Sequence, residues 1–227
     1  LFQIEIVNLI VQEDAIPERI IDLGAGSGIL LERLLTAFPD AHCYWVDSSL
    51  DFMRVAKDKL HRFNGRVTYI DASMEDNWAS YLSDGVDLIT SMTAIHHLET
   101  HEKKDLYRVC FETLRPGGWF FNIDEMRSVS DDAYRNSLLR LVKHVDDFES
   151  IFSGLEAEHY KEFVFYFERW KKRNIDEFDR PKTKGEDIHE SFMDQIQWLA
   201  DAGFQDTDLF MKYHLWSMIG GKKADLA

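Results

Sequence analysis

The sequence predicts an α/β fold built on a doubly wound, seven-stranded, mostly parallel sheet, and three observations lead there. Five short apolar runs alternate with segments of helical periodicity, the pattern of βαβ units with right-handed crossovers. The first run feeds directly into the glycine-rich turn Gly24-Ala25-Gly26-Ser27-Gly28, which opens a helix. The segment from Gln205 to Lys223 reads as two strands joined by a very short turn near Lys212 and Tyr213, an antiparallel hairpin that closes one sheet edge.

Each element follows from local pattern. Residues 1–13 place Phe2, Ile6, Leu9 and Ile10 near one helical face. Residues 19–23 form a buried strand that the glycines end, and residues 28–38 carry Ile29, Leu30, Arg33 and Leu34 in helical register until Pro39. Then come strand 42–46, helix 49–62, strand 66–70, a short helix near 75–82, strand 86–91, helix 101–114 and strand 118–124. Beyond Asp124 the rhythm breaks: two long helical patterns, 131–146 and 155–172, carry no strand between them, so residues 125–187 read as a helical lid inserted in a single domain of residues 1–227. A helix over 187–202, ended by Gly203, leads into the hairpin.

Composition narrows the function. The chain has 227 residues, 45% of them hydrophobic, with 16 Phe, 8 Tyr and 6 Trp, enough to build a packed core. Its formal net charge of −15 repels polyanions, so nucleic acid is a disfavoured partner and small molecules fit better. The 2 cysteines, Cys43 and Cys110, lie in apolar segments with no metal or disulfide spacing; a reduced, cytoplasmic compartment and no metal are expected. No run approaches about 18 apolar residues and the amino end lacks a signal-type pattern, so a soluble protein without membrane contact is expected. The chain opens on Leu1, not Met, which leaves open whether preceding residues complete the lid.

The glycine turn sets the ligand class. A dinucleotide fingerprint, G-x-G-x-x-G, would need glycine where Ile29 stands, and a phosphate-binding Gly-Lys-Ser/Thr sequence is absent. The observed G-x-G-x-G, with Asp22 two residues ahead, fits a nucleoside ligand without a pyrophosphate. Asp47, followed by Ser48, ends the second strand, where a carboxylate accepts hydrogen bonds from ribose hydroxyls. Capping the next helix is its other use, although Ser48 or Ser49 can serve there. Asp71 ends the third strand where an adenine amino group would lie, and Met53 is available to cover the ring.

These segments resemble the class I S-adenosylmethionine-dependent methyltransferases over nearly the whole chain: "IDLGAGSG", "VDSS", "IDAS", "VDLITSMTAIHHL", "LRPGGWFFNID" and the terminal hairpin. The resemblance implies a Rossmann-like sheet of order 3-2-1-4-5-7-6 with strand seven antiparallel. It implies S-adenosylmethionine as cofactor and S-adenosylhomocysteine as product. Gly24, Ala25, Gly26 and Gly28 would approach the methionine part, Asp22 would hold the loop or the methionine amino group, and Asp47 and Ser48 would face the ribose. Asp71, Ala72, Ser73 and Met53 would face the adenine, and Ser91 the reacting centre.

Methyl transfer from a sulfonium is an in-line displacement that mainly needs positioning and exclusion of water. A base helps only when the acceptor carries a proton, and His96, His97 and Glu125 are the candidates. The Asp/Asn-Pro-Pro-aromatic motif of enzymes that methylate exocyclic base amines is absent, which points to a small-molecule acceptor. The stripe Tyr160, Phe163, Val164, Phe167 and Trp170 suits core packing, an acceptor wall or a homodimer interface. The carboxyl-terminal segment also resembles the carboxy-S-adenosylmethionine synthase branch of tRNA modification, which relies on a lid arginine; Arg169, Arg173 and Arg180 are available. A catalytically silent cofactor-binding protein is a third reading.

Overall fold

The computed structural model describes residues 2–13, 16–147 and 157–225. Its seven strands run β1 (Arg19–Leu23), β2 (His42–Asp47), β3 (Val67–Asp71), β4 (Val86–Met92), β5 (Leu114–Glu125), β6 (Gln205–Tyr213) and β7 (Trp216–Lys222). They form one sheet of order 3-2-1-4-5-7-6. Strands β1 to β5 pair in parallel, and β7 runs antiparallel between β5 and β6. Both the strand order and the reversed strand agree with the sequence expectation.

Strand alternation splits the core into two layers, since successive side chains point to opposite faces. Ile21, Ile89 and Phe120 pack with Tyr107, Cys110 and Leu199 on one face. That face is covered by α4 (Thr100–Thr113) and α7 (Phe192–Ala202). Their neighbours Ile20, Leu88 and Phe121 pack on the other face with Ile6, Leu30 and Leu34, from α1 (Phe2–Gln12) and α2 (Ile29–Ala37), beside α3 (Leu50–Lys59). Both cysteines are free and buried. Among the described residues no helix is long and apolar enough to cross a membrane.

The lid helices α5 (Asp131–Asp147) and α6 (Ala157–Lys171) follow β5, and α6 runs into a π turn, Lys172–Asp176. Tyr134 and Leu138 of α5 and Leu215 of the hairpin form a small separate core with Leu141, Trp170, Ile175 and Phe178. On α6, Phe163, Phe167 and Trp170 stack successively, while Val164 of the expected stripe is exposed.

Several boundaries differ from the sequence reading. The helix expected over 187–202 begins at Phe192, because Ser191 is extended and its hydroxyl accepts from Met193 N. Residues before it instead run alongside Arg127, with Arg127 N donating to Glu190 O. The hairpin turn lies at His214 and Leu215 rather than Lys212 and Tyr213, since Tyr213 already pairs with Trp216; His214 takes the left-handed conformation there. The segment 75–82 holds only a 3₁₀ turn, Trp78–Tyr81, and α3 stops at Lys59 before a 3₁₀ turn, His61–Phe63. The first two residues of the 155–172 helix lie outside the described residues.

One buried charge sits in the central strand. Asp22 is 2% exposed, and Thr90 Oγ1 donates to its Oδ1 at 2.8 Å. Burial pushes its carboxyl up to about 7, against the hydrogen bond from Thr90 and with a smaller contribution from Asp47. The native state therefore holds a proton that the unfolded chain releases near pH 4. Stability that Asp22 contributes is complete below that value and is lost as pH rises through about 7. Asp22→Asn is expected to flatten this decline, gaining on the order of 2–4 kcal/mol relative to the parent by pH 8 in urea titrations. Parallel pH profiles for the two proteins would refute the assignment.

Candidate active site

The carboxyl ends of β1, β2 and β4 frame a cleft of about 530 Å³. Three glycines follow β1, all with positive φ: Gly24 (64°), Gly26 (49°) and Gly28 (75°). Their reasons differ. A Cβ on Gly24 would stand 2.3 Å from the Cβ of Ala94 in the loop after β4, and one on Gly28 would stand 3.0 Å from Leu60 Cδ1. Nothing lies within 4 Å of a Cβ built on Gly26. Gly24 and Gly28 are thus needed by the protein's own packing, and Gly26 is the glycine that leaves space for a ligand.

Asp47 locks this open point. Its Oδ2 accepts from Gly26 N at 2.9 Å and its Oδ1 from Ser49 N at 2.8 Å. Trp45, fully buried below, donates from Nε1 to Gly26 O at 2.9 Å. Capping of α3 is carried by Ser49, whose hydroxyl accepts from Phe52 N, so the cap does not consume Asp47.

Of the residues singled out in the sequence, Gly24, Ala25, Gly26, Asp47, Ser48, Ala72 and Ser73 line the cleft. The others sit behind it. Asp22 is buried under the loop on Thr90, Ser91 donates to Leu23 O inside the sheet, and Gly28 packs on Leu60. Met53 packs into the core and its neighbour Phe52 lines the cleft instead, while Asp71 ends β3 exposed and outside the lining. Met74, Thr93 and Ala94 complete the wall, and Lys184 and Gly185 reach it from the lid loop. Lys184 pairs with Glu75 at 3.0 Å and with Glu102, strapping that loop across the mouth. Thr93 carries a φ of 58°, unfavourable for a β-branched residue and held by Thr93 N donating to Ile123 O.

The three catalytic candidates separate. His97 is half-exposed and lines the cleft; burial, then the neighbouring His96, lowers its pKa and favours the neutral ring. His96 is buried behind it, with Nδ1 2.5 Å from Asp124 Oδ1 and its backbone N donating to Asp124 Oδ2. Burial disfavours the imidazolium, but the Asp124 charge and hydrogen bond outweigh it and raise His96 to about 9. Burial alone would raise Asp124; His96 beside it holds that carboxyl below its usual range. Glu125 faces away from the cleft into a lid cluster, accepting from Trp170 Nε1 and lying 2.9 Å from His189 Nε2. His189 Nδ1 meets Tyr134 OH at 2.7 Å.

A second cavity of about 340 Å³ is lined by Phe2, Gln3, Met92, Ile123, Leu141, His144, Tyr213 and Trp216. Met92, at the end of β4, lines both this cavity and the glycine cleft. Sequence reading missed this set because α1, β4, β5, α5 and the hairpin each contribute one or two residues, with no contiguous motif. None of the lid arginines lines either cavity: Arg173 binds Asp187 at 2.7 Å, Arg180 pairs with Glu177 and Glu186, and Arg169 lies over the Phe165 ring.

Residues 20–118 match a family model described as a methyltransferase domain. Over 104 residues, 46% of this chain, the sequence is 31% identical to a ubiquinone biosynthesis O-methyltransferase of Aromatoleum aromaticum, and the match spans 42% of that protein. It is 34% identical over 99 residues to a malonyl-[acyl-carrier protein] O-methyltransferase of Geobacter sulfurreducens, covering 43% of this chain and 36% of that relative. The fold is also that of human N-acetylserotonin methyltransferase, solved in complex with S-adenosylmethionine, with a TM-score of 0.59 at 15% identity over 98% of this chain and 55% of that one.

The different reasons for the glycines can be measured. Gly26→Ala is expected to cost only the left-handed penalty of about 1–2 kcal/mol. Gly24→Ala adds a backbone-level clash with Ala94 and should cost distinctly more. Equal losses in urea denaturation would show that the Ala94 contact is not limiting.

Proposed function

Because residues 20–118 match a methyltransferase domain and the relatives are O-methyltransferases, we propose that the chain is a class I S-adenosylmethionine-dependent methyltransferase that binds S-adenosylmethionine in the glycine cleft and transfers the methyl group to an oxygen of a small-molecule acceptor in the adjoining cavity. One observation carries the reading: the two cavities meet at Met92. An in-line displacement sets the acceptor atom and the leaving sulfur on opposite sides of the methyl carbon, and an acceptor space adjoining the cofactor cleft at one residue supports this reading.

In this reading Asp47 hydrogen-bonds the ribose while retaining Gly26 N and Ser49 N, and the open space over Gly26 receives the methionine portion. The adenine lies toward Phe52, Ala72 and Ser73. An acceptor oxygen lone pair attacks the methyl carbon, the carbon–sulfur bond breaks, and its electron pair stays on sulfur as S-adenosylhomocysteine leaves. A hydroxyl acceptor must also lose its proton; a carboxylate need not. The relatives named above support oxygen as the acceptor atom, and the apolar and aromatic lining from Phe2, Ile123, Leu141 and Trp216 favours an acceptor with a flat or aliphatic body. Among the catalytic candidates, His97 is the one that lines the cofactor cleft beside Met92, which supports it as the group nearest the reacting atoms. A cytoplasmic setting accords with the free cysteines. The carboxylated-donor alternative loses support because Arg173 is engaged by Asp187.

Calorimetric titration with S-adenosylmethionine and S-adenosylhomocysteine is the first test, followed by turnover against a panel of hydroxylated and carboxylated acceptors. Asp47→Ala is expected to weaken cofactor binding by about 1.5–3 kcal/mol. Unchanged affinity would refute the ribose assignment, and absence of binding by the parent would refute the whole reading. Met92→Trp should fill the junction, leaving cofactor affinity within about threefold but reducing turnover by about 100-fold or more; full turnover in that variant would place the acceptor elsewhere.

A further inference from the structure

Behind the cleft wall, three side chains from two elements converge. His96 Nε2 lies 3.8 Å and His97 Nδ1 3.9 Å from the same oxygen, Asp187 Oδ1, and all three atoms fall within 4.8 Å of one another. Two of the donors are already oriented. The other nitrogen of His96 is held by Asp124 at 2.5 Å, the carboxylate–histidine arrangement that fixes the ring and aims its second nitrogen. The other oxygen of Asp187 accepts from Arg173 at 2.7 Å and from Asn174 at 2.9 Å, which leaves Oδ1 toward the two imidazoles.

Two further observations bear on what this arrangement holds. Asn174, which anchors Asp187, leaves its buried acceptor Oδ1 without a hydrogen-bond partner, an irregularity that native cores usually resolve with a bound water or ion; the likewise unpartnered Nε of Arg173 is a donor that only a water or an anion would satisfy. Three carboxylates, Asp124, Asp187 and Glu125, surround His96, against the cations of Arg173 and Lys103. With His96 protonated, as the surrounding carboxylates favour, these charges balance, so a cation binding there takes the place of the proton on His96 Nε2.

We propose that His96 Nε2, His97 Nδ1 and Asp187 Oδ1 form a binding site for one divalent transition cation of the zinc and iron(II) class. Two imidazoles and one carboxylate suit that class and leave further coordination positions open. Donors around such an ion stand roughly 3.3 Å apart at metal–ligand distances near 2.0–2.1 Å, so each observed separation closes by about half an ångström. Rotation of the half-exposed His97 ring closes its own distance to Asp187, and a small shift of the Asp187 carboxylate toward His96 closes the other. Because His97 also lines the cofactor cleft, the open position faces that cleft, where an acceptor hydroxyl or carboxylate oxygen reaching past Met92 would coordinate. The lone pair of His97 then serves the metal rather than a proton, and the metal facilitates ionisation of the acceptor. Binding of the ion itself does not depend on the cofactor reading.

The test uses chelator-stripped protein titrated with Zn²⁺ by calorimetry and with Co²⁺ by visible absorption, without any cofactor present. One equivalent should bind, with ligand-field bands from Co²⁺. His97→Ala and Asp187→Asn should each weaken binding by about 10-fold or more, whereas His101→Ala, on the exposed start of α4, should not. Circular dichroism confirms that the variants are folded, and Asp187→Asn keeps an oxygen able to accept from Arg173 and Asn174. Failure to bind, or binding unaffected by both site variants, overturns the metal site and assigns the cluster to a protonated His96 between two carboxylates. A parallel titration with S-adenosylhomocysteine separates the outcomes: cofactor binding without metal leaves the proposed function standing, and metal binding without cofactor overturns only that function.

Discussion

The buried pair of Asp124 and His96 joins the sheet, the cleft and the lid. Asp124 lies at the end of β5 and takes both the backbone N–H and the ring nitrogen of His96, fixing the loop after β4 at two points. His96 O in turn accepts from Ile188 N, and the buried Lys103 donates to Ile188 O at 2.5 Å. The lid's return to the domain is therefore held at Ile188 from two sides, by His96 of the β4 loop and by Lys103 of α4. Removing either member of the pair would leave a buried polar group uncompensated, a loss of about 3–5 kcal/mol.

That anchoring also shapes the cleft. With the β4 loop held, Ala94 sits against the Cα of Gly24 closely enough to forbid a side chain there. Asp47 pulls the next part of the turn toward β2, and Gly26 is left as the exposed backbone between them. The cleft is thus already formed by hydrogen bonds internal to the protein. A ligand meets amides and carbonyls whose positions are set in advance, which reduces the ordering cost of binding.

Strand order, the lid's location and the place of Asp47 on the cleft were legible because each has a local signal: alternating runs, loss of the strand rhythm after Asp124, and a carboxylate at a strand end. What the sequence obscured is equally physical. Asp22 and Ser91 look like ligand contacts by position, yet both lie on strands and bond inside the sheet. Met53 and Phe52 are adjacent on one helix, so a shift of one position, about 100° around the axis, decides which reaches the cleft. Lys184 and Asp187 come from an irregular loop without periodicity, and only tertiary contacts bring them to the β4 end. The hairpin turn was misplaced because His214 takes a left-handed conformation without being Gly or Asn.

Trp45 lends the cleft an optical property. Its indole N–H is bonded to the carbonyl of Gly26, the residue that borders the ligand space, while its ring is fully enclosed and packs at 5.8 Å from Tyr69. Any displacement of the Gly26 peptide alters the hydrogen bond on an indole shielded from solvent quenching. Trp45, one of 6 tryptophans in the chain, is thus a native fluorophore wired to the glycine turn, and its share of the emission is expected to respond to occupancy of the cleft.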